Sequence, residues 1–181
     1  NAANDIGVTP LYLACANGSA PMVEKLLAAG ANANAVAATG VSPLMQAARS
    51  GSVGAVQALL ARGAKIEATE NSAGQTALMW AVSQRHPEVV RVLVMHGADV
   101  RARSRTSGVL VNINRGGKGL GAPGPAKVVP TGGSTAMLFA ARVGCTECAQ
   151  ALLAGGANAN DSAPDGNSAL VLAAHSGQGS F

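Results

Sequence analysis

The residues best suited to chemistry are few and scattered. Cys145-Thr146-Glu147-Cys148 is a Cys-x-x-Cys pair at the expected start of a helix, where the helix N-terminus favours a thiolate and hence redox chemistry. A zinc site would need a second pair to complete its ligands, and Cys15 is the only other cysteine. Ala149 follows the pair where haem attachment requires His. Gly119-Leu120-Gly121-Ala122-Pro123-Gly124 spells Gly-x-Gly-x-x-Gly. That pattern holds a pyrophosphate only where it opens a helix, and Pro123 and Pro125 oppose helix continuation. Around Gly116-Gly117-Lys118, Asn112 and Gly119 stand where a phosphate-binding loop needs an earlier Gly and a following Ser or Thr. His86, His96 and His175 lie apart, with no carboxylate or Ser at fixed spacing to form a catalytic pair. No catalytic residue, cofactor or metal is expected.

Charge is the sharper signal. The chain has 13 Lys and Arg against 9 Asp and Glu, a net charge of +4. Arg101, Arg103, Arg105, Arg115, Lys118 and Lys127 cluster in one stretch, and no acid lies between Asp99 and Glu147. The rest of the chain is slightly acidic, so the net charge comes from this stretch. Such a run fits docking on an acidic partner or a membrane surface, or a merely solvated loop. No aromatic interleaves the charges to stack bases, which argues against nucleic acid.

These residues are carried on a repeating unit. Thr9-Pro10-Leu11 with Ala14, Ser42-Pro43-Leu44 with Ala47, Thr76-Ala77-Leu78 with Ala81, Thr135-Ala136-Met137 with Ala140 and Ser168-Ala169-Leu170 with Ala173 share one pattern. The hydroxyls are 33, 34, 59 and 33 residues apart. Each can accept a hydrogen bond from the orphan N–H groups of a first helical turn, and Pro10 and Pro43 suit that turn. After a Gly-containing break, Met22, Val23, Leu26 and Leu27, and likewise Val56, Leu59 and Leu60, repeat with helical spacing and form the expected core face of a second helix. Leu26 to Asn32 recurs as Leu59 to Lys65, Leu93 to Asp99 and Leu152 to Asn158, each closed by a Gly suited to a left-handed cap. Arg85 stands where the other copies have Gly18, Gly51, Gly144 and Gly177, so the third turn is expected to carry local strain.

In its period and in the hydroxyl-Pro-Leu-x-x-Ala signature the chain resembles the ankyrin repeat family. Gln75-Thr76-Ala77-Leu78-Met79-Trp80-Ala81 and His96-Gly97-Ala98-Asp99 resemble bacterial members in particular. The resemblance implies an all-α fold: a solenoid of helix-turn-helix units with hairpin-like loops. Repeats fall at about 5–38, 39–72, 73–106 and 132–164, with a partial copy at 165–181 and a Gly/Pro-rich insertion at about 107–131. Val109 to Asn114 is the insertion's one strand-like segment. Asn1 to Asp5 matches the repeat tail at Asn158 to Asp161, so the chain reads as a stretch of a longer array. The signature His is replaced by Tyr12, Met45, Met79, Leu138 and Val171, and weaker loop order is expected from its loss.

The function the resemblance implies is non-catalytic binding of another protein through a concave surface of loop tips and first helices. On this chain that surface takes Thr39, Val41, Arg49, Gln75, Trp80, Ser83, Gln84, Arg142 and His175, and the basic stretch adds Arg103, Arg105, Arg115 and Lys118. Trp80 is the candidate anchor, since Trp is enriched at interface hot spots. One alternative is a structural subunit of a larger assembly, which a charged fraction of 12% and a mean hydropathy of +0.24 suit. Another is a redox- or metal-responsive module acting through Cys145 and Cys148. Bacterial members are often exported, which points to an extracytoplasmic location, with the cytoplasm as the alternative. No apolar run approaches the length of about 18 residues that a membrane span needs.

Overall fold

Hydroxyl residues open the first helix of most repeats. In the computed structural model, which describes residues 2–112 and 126–177, Thr9 Oγ1 accepts from the Tyr12 N–H and Ser42 Oγ from the Met45 N–H, both at 3.2 Å. Thr76 and Ser168 accept in the same way from Met79 and Val171 at 3.4 Å. The described elements are the helices α1 (Pro10–Ala16), α2 (Ala20–Ala28), α3 (Pro43–Ser50), α4 (Val53–Ala61), α5 (Ala77–Ser83) and α6 (Pro87–Met95), the strands β1 (Thr106–Asn112) and β2 (Ala126–Gly132), and the helices α7 (Ala136–Val143), α8 (Thr146–Ala154) and α9 (Ala169–His175). Thr135, before α7, departs from the rule: it makes no side-chain cap bond, and its Oγ1 is buried with no hydrogen-bond partner.

The helices form two layers. First helices α1, α3, α5, α7 and α9 stack in sequence, as do second helices α2, α4, α6 and α8. Leu11, Leu44, Leu78 and Met137, each two residues after its opening hydroxyl, are buried between layers, and so are Leu59, Leu93 and Leu152 of the second helices. Leu27 is buried as expected, whereas Leu60 is only partly so and Leu59 takes the fully buried place. Met22, expected in the core, is 49% exposed. Among the described helices α2 packs on α1 and α4, with no second helix before it. The equivalent Ala55, Val89 and Cys148, each on a helix that packs on the second helix before it, are wholly buried.

Turns between paired helices are tied from repeat to repeat. Ser50 Oγ donates to the Cys15 carbonyl at 2.9 Å, and His86 Nε2 lies 3.0 Å from the Arg49 carbonyl oxygen. Arg85 has φ of 61°, alone among the described non-glycine residues in having positive φ. A side chain in that left-handed region costs about 1–2 kcal/mol, which bears out the strain expected of this turn. The Arg85 guanidinium also donates to the Gly144 carbonyl at 3.0 Å, linking the third turn to the fourth.

Loops that lack the signature His are held by other bonds. Backbone N–H groups of Ala38, Asn71 and Arg105 donate across repeats to Ile6, Thr39 and Ala73 carbonyls at 2.9, 2.9 and 2.6 Å. Gln46 Nε2 donates to the Tyr12 hydroxyl at 2.6 Å. Glu70 is buried and its carboxylate accepts from the Ser72, Ala73 and Gln75 N–H groups at 2.6, 2.8 and 3.0 Å. Burial pushes Glu70 upward, but the N–H of Gln75, the hydroxyl and N–H of Ser72 and the N–H of Ala73 together hold it below the usual carboxylate range.

The insertion holds a hairpin. β1 and β2 pair antiparallel, from Thr106 opposite Gly132 to Asn112 opposite Ala126. The expectation of one strand-like segment is therefore corrected: Ala126–Gly132 supplies a second strand despite Pro130. A two-stranded ribbon has only edge strands, where a missing N–H is tolerated. Gly132, with φ of 82°, is required at the base because an added Cβ would collide with the Arg105 carbonyl. Beyond the hairpin the solenoid resumes, with α5 packed on α7 and α6 on α8.

Candidate partner-binding groove

Stacked first helices present equivalent positions side by side. Four residues after the opening hydroxyl come Trp80 in α5 and Phe139 in α7, and seven residues after it come Arg49, Ser83, Arg142 and His175. A groove of about 260 Å³ is lined by Arg49, Gln75, Trp80, Ser83 and Gln84, five of the residues that the repeat pattern selects. The Arg49 guanidinium carbon lies 5.9 Å from the centroid of the Trp80 ring, a cation–π distance. Trp80 is partly buried against the core, and its Nε1 is buried without a hydrogen-bond partner. Ser83 turns its hydroxyl back onto the Met79 and Trp80 carbonyls at 2.9 and 3.1 Å.

A second hollow of about 240 Å³ shares Gln75 with the first and extends to the hairpin base, where Ser72, Ser104, Arg105, Phe139 and Arg142 contribute to its walls. There the Arg142 guanidinium carbon lies 5.6 Å from the Phe139 ring centroid. The first-helix face thus carries two arginine–aromatic pairs on neighbouring helices. Phe139 was not among the residues selected from sequence, although it shares Trp80's repeat position.

The other selected residues are distributed differently. Thr39 is exposed at a loop tip, and His175 is exposed on α9 outside both hollows. Val41 is only 8% exposed and belongs to the core cluster, which corrects its assignment to the surface: the residue before Ser42 points under the loop. Arg103 donates to the Gly133 and Ser162 carbonyls at 2.8 and 3.0 Å and pairs with Asp161. Arg105 donates to the Asn71 carbonyl at 2.5 Å. These two arginines fasten the hairpin base to the repeats on either side. Arg115 and Lys118 lie outside the described residues.

Cys145 and Cys148 form a disulfide, where the Cys-x-x-Cys spacing had suggested a thiolate. Both sulfur-bearing residues are buried, and Cys145 Sγ accepts from the Cys148 N–H at 3.3 Å. In this oxidised state neither sulfur is the thiolate that metal ligation needs. Cys15 is free and buried, and burial pushes its thiol up to about 12. Among the described residues no helix is long and apolar enough to cross a membrane.

Family comparison follows the same outline. A model described as ankyrin repeats, in three copies, matches residues 11–104, and a single ankyrin repeat model matches residues 132–163. The gap between them contains the hairpin. No curated protein matches the chain. With one match covering more than half of the sequence and the paired helices stacked in register, the chain belongs to the ankyrin repeat family.

Proposed function

We propose that the chain binds another protein in the groove over Trp80, without catalysing a reaction. Ankyrin repeats are generally protein–protein interaction modules, and proteins built of them are typically non-enzymatic. The observation that carries the reading is the convergence of Arg49, Gln75, Trp80, Ser83 and Gln84 on one groove of the first-helix face. Trp with an overlying Arg is a composition that interface hot spots favour. Thr39 and His175 would lie at the rim, and the hairpin, fastened by Arg103 and Arg105, would wall one end.

Co-purification from the native source with mass spectrometry identifies the partner. The discriminating step is to repeat the capture with a Gln75→Ala, Trp80→Ala, Gln84→Ala variant and with a variant lacking Gly108 to Pro130. The triple variant is expected to lose the partner while keeping its helical circular dichroism. Full retention of the partner by both variants would move the site off this face.

A further inference from the structure

Helical acids are confined to one of the two helix layers, where Lys25 and Arg91 also lie. First helices α1, α3, α5, α7 and α9 contain Arg49, Arg142 and His175 and not one Asp or Glu. Glu24, Glu88 and Glu147 all lie on the second helices, and all are exposed. The nearest acid to the groove in sequence, Glu70, is buried and its carboxylate is occupied by its own loop's N–H groups. Arg49 and Arg142 are exposed and have no ion pair among the described residues; the exposed Asp165, held low first by the Asn167 N–H of its own loop, also feels the Arg142 charge. The groove therefore presents two cations held over aromatic rings, between neutral Gln75, Ser83 and Gln84.

Deepening the protein-binding reading, on which it rests, we propose that the groove selects an extended acidic segment of its partner. Two carboxylates would meet Arg49 and Arg142, with an apolar side chain between them over Trp80 and Phe139. The spacing follows from the stack. Trp80 and Phe139 occupy equivalent places on adjacent helices, whose axes pack about 8–10 Å apart, and each guanidinium lies over one of these rings. An extended chain rises about 3.3 Å per residue, and Arg49 reaches its ring from α3, one helix before Trp80, so the two acids fall about three to six residues apart. Arginine suits this role because its planar fork meets a carboxylate with two hydrogen bonds while its face remains on the ring. Lengthwise, Gln75 joins the two hollows and can bond the peptide backbone.

The probe is a displayed library of short random peptides selected on the immobilised full chain, followed by titration of the winners. Trp80 is the single tryptophan, so its fluorescence reports occupancy of the groove directly. Winners are expected to carry Asp or Glu pairs about three to six residues apart around an apolar residue. Arg49→Ala or Arg142→Ala should each weaken them about tenfold, the factor equivalent to about 1.4 kcal/mol, and binding should weaken with added salt. Winners that perturb Trp80 but lack acidic pairs, or that are indifferent to both arginine variants, overturn the acidic specificity and leave the groove as the binding site. Winners that leave Trp80 fluorescence unmoved, or no winners at all, overturn the groove reading as well. A single-stranded oligonucleotide that competes as strongly as the winning peptide would replace the proposal with general polyanion binding.

Discussion

One chemical change made at two equivalent positions should move stability in opposite directions. Thr76 and Thr135 open the first helices of neighbouring repeats, and both are almost fully buried. Thr76 Oγ1 accepts the Met79 N–H, so Thr76→Val removes a helix cap and should destabilise by about 1 kcal/mol. Thr135 Oγ1 accepts nothing and donates to nothing. Burying a hydroxyl without a partner costs about 1–3 kcal/mol, and Val nearly reproduces the shape of Thr. Thr135→Val should therefore stabilise by about 1 kcal/mol. In a chain of this size each kcal/mol shifts Tm by about 2–4 °C, so the two variants should melt about 4–8 °C apart, on either side of the parent. Thermal and urea unfolding followed by circular dichroism would measure this. Because repeats can unfold separately, hydrogen exchange in α5 and α7 would show that each effect arises in its own repeat. Equal destabilisation by both substitutions would refute the reasoning, for it would mean that Thr135 caps α7 in solution.

Three further outcomes are expected. Leu59→Ala, at a wholly buried position, should lose about 2–5 kcal/mol in urea unfolding, a far larger loss than Leu60→Ala. Glu70 is held below its ordinary range, so its stabilisation is complete above the unfolded carboxylate range and is lost as pH falls through that range toward the lower folded value. Urea midpoints measured against pH should accordingly show a shallower acid limb in Glu70→Gln than in the parent. In thiol titration without reductant, Cys15 should be silent in the native chain and should be the single thiol to react on denaturation, with Cys145 and Cys148 joining only after reduction.

What could be read from the residues alone was whatever repeats. The hydroxyl-to-Ala spacing located every first helix because the same sequence, a hydroxyl residue before an apolar run, recurs at each, with the cap bond itself absent at Thr135. The groove was legible for the same reason, since exposed positions of equivalent helices must line up when repeats stack. Departures came from residues whose surroundings are not periodic. Met22 follows the core pattern, but burial at its position depends on a preceding second helix, and among the described elements α2 has none. Val41 lies at the position that Gln75 holds one repeat on, yet the loop over it turns it inward. The disulfide depends on two side chains meeting in space, which a Cys-x-x-Cys spacing compatible with thiolate or metal chemistry does not decide. The strand Ala126–Gly132 was hidden because Pro130 and Gly132 carry breaker signals that apply to central strands more than to a two-stranded ribbon.

The base of the hairpin has a consequence for how such an array changes. Thr106 and Gly132 face each other across the ribbon, so the chain leaves the solenoid and re-enters it at nearly one point. Repeats three and four pack on each other across the insertion, α5 on α7 and α6 on α8, and adding residues there costs only about 0.6 kcal/mol per doubling of loop length. This junction is a port: a foreign loop, epitope or small domain could be grafted between Ser107 and Thr131 without altering the pitch of the helices on either side.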